Sequence, residues 1–137
     1  MNKYVSEEFV KEYFIDKYPN AKSQNAKIES ADVVLFRGFL VFDFSVNYGG
    51  AFQGYTSPVL TGNTKDGWSD IGAGNFITQI LELLGEYNDN EQIKTSSLEG
   101  KPCRVFSDHN GIYAIGNFLK DEWFIPTYYF EQLKKDE

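Results

Sequence analysis

The stretch KIESADVVLFRGFLVFDFSVNY, residues 27–48, decides the fold. In its second half Phe42, Phe44 and Val46 fall on one side of an extended chain, and Val41, Asp43 and Ser45 on the other. That is the period of a β-strand with one face covered. Arg37-Gly38 divides the run, so the pattern predicts strands over 28–35 and 39–48 joined by a turn. Gly49-Gly50 is the next turn. Residues 51–56 return as a third strand, and Pro58 ends the pairing. The three strands read as an antiparallel meander.

Downstream, residues 61–74 are rich in Gly, Asn, Asp, Ser and Thr and read as a loop. Asn75 then stands as an N-cap. Phe76, Ile77, Ile80, Leu81 and Leu84 follow at helical spacing, and Gly85 sits where a C-terminal glycine belongs. Residues 86–97 form a polar connector. Asn110-Gly111 marks a hairpin between 102–108 and 111–118. The tail from 121 to 133 is aromatic, then charged. Upstream, Ser6 followed by Glu7 and Glu8 is a helix start. Phe9, Val10, Tyr13, Phe14 and Tyr18 continue it until Pro19, predicting a helix over 7–18. Residues 20–26 read as a linker. The expected fold is α+β: an antiparallel sheet with a short central helix packed on it, plus an N-terminal helix. Residues 1–26 form the helix and linker, and residues 27–137 the ligand-binding domain.

Composition narrows the function. The net charge is −7 over 137 residues, with no basic run. Long nucleic acid repels such a chain, because polymer binding requires neutralising many phosphates. A small ligand with a few phosphates needs only a few placed donors. One cysteine excludes an intramolecular disulfide and a Cys-rich zinc site, and a single histidine cannot complete a metal set with it; neither a metal nor a cofactor is among the expectations. No apolar run approaches the roughly 18 residues of a membrane span. The start, Met1-Asn2-Lys3-Tyr4, does not lead into a signal-peptide core. A cytoplasmic setting is the expectation.

Several residues suit a small anionic, base-bearing ligand. Amides at Gly74-Asn75, opening the helix, would suit an anion; the plain alternative is a flexible helix entry. Phe76 offers a stacking face, worth roughly 1–3 kcal/mol per base, or is a core residue. Cys103 and Val105 would face the core, so Arg104 faces away with Phe106 and Asp108. Its planar fork suits phosphate, or it is a solvated residue paired with Asp108. Gln53, beside Gly54, could read a base edge or belong to a bulged edge strand. Cys103 and His109 lie on a strand and in a distal turn, poorly placed to act as a nucleophile pair. Asp66, Asp70 and Glu82 offer no singled-out acid/base pair, so binding rather than catalysis is expected.

Gln53-Gly54, Gly72 to Gly85, Leu98 to Val105 and Ile115 to Phe124 follow one another in an order that resembles a family of phage anti-Thoeris "sponge" proteins, the first-described class. The similarity covers roughly residues 27–125 and leaves the N-terminal helix outside. It implies a non-enzymatic protein of the infected bacterium's cytoplasm. Such a protein binds and sequesters cyclic ADP-ribose isomers or related cyclic nucleotides, with further sites for cyclic oligonucleotides. It also implies a homo-oligomer, dimers grouped into hexamers. Phe76 and Arg104 match pocket positions of that family. Asn75, Lys101 and Asp108 lie beside them in the pattern. Trp123 and Phe124 could supply a subunit contact. The alternative is an acidic, protein-directed inhibitor of a host defence nuclease that imitates nucleic-acid charge.

Overall fold

A computed structural model describes residues 4–36, 39–49, 51–56, 70–85 and 94–135. Its sheet is built on β1 (Lys22–Phe36), β2 (Phe39–Tyr48), β3 (Ala51–Thr56), β4 (Pro102–Asp108), β5 (Gly111–Gly116) and β6 (Trp123–Phe124). The spatial order is β3-β2-β1-β4-β5-β6, antiparallel throughout. The helices are α1 (Glu7–Phe14), α2 (Asp70–Leu83) and α3 (Pro126–Lys135), with a short 3-10 turn at Thr95–Leu98. The α+β fold with an antiparallel sheet is therefore present.

β1 holds the sheet together. Its first part, Lys22 to Lys27, pairs with β4, while Lys27 to Phe36 pairs with β2. Between them the register shifts at Ile28/Ser30, a bulge of the kind that bends a strand and increases its twist. The sheet curls, and β3 is brought to the β4–β5 hairpin: Gln53 Nε2 donates to the Asp108 carbonyl at 3.2 Å.

Strand alternation divides the side chains between two cores. On the concave face, Ile28, Phe42, Val46, Cys103, Val105 and Ile115 pack with Ile80, Leu81 and Leu83 of α2 and Tyr129 of α3. On the opposite face, Phe106, Ala114 and Trp123 pack with Val10 and Phe14 of α1 and with Ile125. Phe106 is 3% exposed. The face expected to carry Arg104 and Phe106 outward is thus covered by a helix.

Several expectations change here. The boundary drawn between 26 and 27 falls inside β1, and residues 22–26 are strand rather than linker. The polar residues of that stretch obscured a period-two pattern, in which Ala26 and Ile28 are both buried. The N-terminal helix, set apart from the domain by that boundary, is packed into it. Val5 pairs with Trp123 as an antiparallel bridge, Ser6 caps the helix by accepting from the Phe9 amide at 3.1 Å, and Val10 is fully buried.

A further change concerns α2. It begins at Asp70, so Gly72, Ala73, Gly74 and Asn75 lie within the helix and not in a loop before it. Glycine disfavours a helix interior by about 1 kcal/mol relative to alanine. The buried Ile80, Leu81 and Leu83 anchor the element by tertiary packing, which outweighs that local cost. The turn expected at Arg37-Gly38, most of the loop over 61–74 and residues 86–93 of the connector lie outside the described residues.

Trp123 and Phe124 are fully buried, one in each core, so they are internal packing residues rather than a subunit contact. Gly116 makes the Trp123 position possible: a Cβ there would stand 2.6 Å from the indole ring. Gly116→Ala should destabilise the fold by about 1–3 kcal/mol through overpacking. Denaturant unfolding of the variant checks this, and unchanged stability would contradict the packing described.

Candidate functional site

The curl of the sheet leaves a polar hollow of about 440 Å³ where the start of β1, the end of β2, β3 and the β4–β5 turn converge. It is lined by Asn20, Lys22, Gln24, Tyr48, Gln53, Ser107, Asp108 and His109. Register explains the grouping. Lys22 pairs with Ser107 and Gln24 with Val105, so Lys22, Gln24 and Ser107 share the concave face. Gln53 is opposite the buried Val46 and belongs to the same face. Ser107, Gln24, Gln53 and Tyr48 form the half-buried to buried floor, while Asn20, Lys22 and His109 are the exposed rim. Mouths of curled and closed sheets are common ligand sites.

The floor is preorganised. The Tyr48 hydroxyl donates to Gln53 Oε1 at 2.7 Å, and Gln53 Nε2 in turn reaches the Asp108 carbonyl. Asp108 Oδ1 accepts from the Asn110 amide at 2.8 Å and from the Tyr113 hydroxyl at 2.7 Å. The Tyr113 bond, with the turn amides of Asn110 and Gly111, holds the Asp108 carboxyl below its usual range. Burial and the neighbouring carboxylate push Tyr113 up to about 12. The carboxylate is therefore ionised at neutral pH and tied back toward the hairpin turn.

Ser107 is the exception to this satisfaction. It is fully buried, and its Oγ has no hydrogen-bond partner among the described residues. An unpaired buried hydroxyl costs about 1–3 kcal/mol, so Ser107 would gain from a hydrogen-bonding partner in the hollow. Ser23 Oγ, Gln79 Oε1 and Trp123 Nε1 are also unpartnered, but those residues do not line this hollow.

The structure brings Gln53 and Asp108 together and separates the other expected site residues from them. Arg104 lies on the α1 face. Its Nε donates to the Asn117 carbonyl and an Nη to the Lys120 carbonyl, each at 2.8 Å. The remaining Nη is 3.6 Å from Glu7, and the guanidinium sits 4.9 Å above the Trp123 ring. All three nitrogens are engaged within the chain, so Arg104 fastens the 117–121 turn rather than presenting a free fork to phosphate. Asn117 completes that turn: its side-chain oxygen accepts from the Leu119 and Lys120 amides, both at 2.9 Å.

Gly74 and Asn75 also lose their expected role. Inside α2 their amides fall in the intrahelical i→i−4 ladder, to Asp70 and Ile71, so they offer no helix-start cradle. The Phe76 side chain lies outside the described residues. Lys101 lines a different hollow with Leu84, Pro102, Asn117, Phe118 and Leu119, and its carbonyl accepts from the Ile28 amide at 2.9 Å. Cys103 is fully buried, and burial pushes its thiol up to about 12, which leaves no thiolate for nucleophilic attack. Among the described residues no group of three or more His, Cys, Asp and Glu could hold a metal ion. No described helix is long and apolar enough to cross a membrane.

Reading the sequence missed Asn20, Lys22, Gln24, Tyr48 and Ser107. The signal available was alternation: Lys22, Gln24, Ala26 and Ile28 run from polar to apolar along one face, as a strand does when it leaves a core for a site. A second hollow of about 360 Å³ lies between α1, β5 and α3. Its tyrosines are engaged internally: Tyr18 stacks on Tyr113 at 3.6 Å, and the Tyr13 hydroxyl meets Glu131 at 3.5 Å. The polar hollow is the better candidate.

No family model, curated protein or solved structure matches the chain.

Hydrogen bonds to a charged group are worth about 1.5–3 kcal/mol, whereas a partly exposed ion pair adds little. Arg104→Gln should therefore lower unfolding free energy by about 2 kcal/mol, chiefly through the two lost carbonyl contacts. A variant that melts like the parent would show that these contacts do not hold the turn.

Proposed function

We propose that this protein binds a small nucleotide-type ligand in the polar hollow and acts by holding it unchanged. The single observation behind this reading is the buried, unpartnered Ser107 hydroxyl facing a hollow whose floor is preorganised by the Tyr48–Gln53–Asp108 chain. Preorganised polar groups suit tight retention, because little ordering remains to be done on binding.

The resemblance of residues 27–125 to anti-Thoeris sponges supplies the ligand class: a cyclic ADP-ribose isomer made by a bacterial TIR-domain enzyme. Sequestration of that signal in the host cytoplasm, by a homo-oligomer of this chain, would silence the defence effector without chemistry. In this reading Gln53 would meet a base edge through its second amide N–H, since Tyr48 and the Asp108 carbonyl already hold its side chain in place.

Calorimetry with purified cyclic ADP-ribose isomers tests the reading, followed by heat denaturation and chromatography of the released ligand. Submicromolar binding, roughly 8 kcal/mol or more, with intact recovery is the expected result. Absence of binding to every isomer, or recovery of a linearised product, would overturn it.

A further inference from the structure

We propose that Lys22, together with His109 and the Ser107 hydroxyl, is the anion-holding end of the polar hollow, built to take a phosphoryl or pyrophosphoryl group. This inference rests on reading the hollow as a binding site and adds which residues hold the ligand's charge.

Three observations carry it. First, the Lys22 ammonium makes no hydrogen bond or ion pair among the described residues, although the chain has a large acidic excess. Here it stands on the rim with three free donors. Second, Ser107 lies directly across the ladder from Lys22, fully buried and with an unpartnered hydroxyl. A hydroxyl and an ammonium side by side on one face can donate to adjacent oxygens of one phosphoryl group. Third, the one acidic group among the described lining residues keeps its charge but is tied to the hairpin turn. Asp108 Oδ1 is committed to the Tyr113 hydroxyl and the Asn110 amide, which draws the carboxylate toward the hairpin turn. His109, adjacent in that turn, adds an imidazole donor at the rim.

The arrangement also explains why the site does not depend on arginine. Arg104 spends its fork on the 117–121 turn, and an ammonium serves phosphate as a point charge without needing bidentate geometry.

The test uses the full chain and two probes, inorganic pyrophosphate and cyclic ADP-ribose, with Lys22→Gln and a control, Lys94→Gln, that removes the same charge from an exposed position elsewhere. Ser107→Ala provides a second variant, which removes an unpartnered atom and should fold as the parent does. Pyrophosphate should bind the parent. Lys22→Gln should weaken it about 10-fold or more, the effect of losing a charge-assisted contact. Lys94→Gln should leave it unchanged, and Ser107→Ala should weaken it measurably. Equal pyrophosphate binding by parent and Lys22→Gln, or none by the parent, would overturn the proposal. If pyrophosphate binds through Lys22 while cyclic ADP-ribose does not bind, the anion anchor stands and the signal-sequestering reading fails. If cyclic ADP-ribose binds parent and Lys22→Gln alike, the anchor fails and the sequestering reading stands.

Discussion

The pairing of one long strand with two different partners underlies the rest of the molecule. β1 gives its first part to β4 and the remainder to β2, and the bulge at Ile28/Ser30 lets it turn between them. A flat sheet of this order would leave β3 at one edge, two strands beyond β1, far from the β4–β5 hairpin. The curl instead brings Gln53 within hydrogen-bonding distance of Asp108, 55 residues away in sequence. The concave face closes into a core at one end and opens into a polar hollow at the other. The site is thus a consequence of sheet curvature, and its floor residues come from four separate strands.

Covering both faces of the sheet has a second consequence. α1 and its aromatic residues pack on the convex face, so Phe106, Ala114 and Trp123, which alternate away from the concave core, are buried there. Arg104 is caught there, between Trp123, Glu7 and the 117–121 turn. An arginine on a strand of an acidic protein reads as a ligand group when that face is taken to be open. Under a helix it becomes a fastening residue, with two backbone carbonyls as its partners.

The parts of the fold set by local chemistry were legible in the chain. The meander over 28–56, the Asn110-Gly111 hairpin and the Ser6 cap each depend on neighbouring residues, and each stands where spacing placed it. What escaped the sequence depends on distant contacts. Residues 22–26 pair with β4, some 80 positions later, and of their inward side chains only Ala26 is apolar, which leaves the alternation faint. Gly72 and Gly74 argued for a loop, yet α2 extends through them because Ile80, Leu81 and Leu83 anchor it to the core. Of the site, Gln53 and Asp108 were singled out, but for separate reasons. Nothing local could show that they meet, or that Lys22 and Ser107 lie beside them.

The central claim is that the ligand is taken at the mouth of the curled sheet. The most direct measurement is an NMR titration of the isotope-labelled protein with cyclic ADP-ribose, following each backbone amide. The account predicts that the largest shifts fall on Lys22, Gln24, Gln53, Ser107, Asp108 and His109. Shifts confined to α2 around Asp70–Phe76 and to Arg104, with the hollow silent, would contradict it.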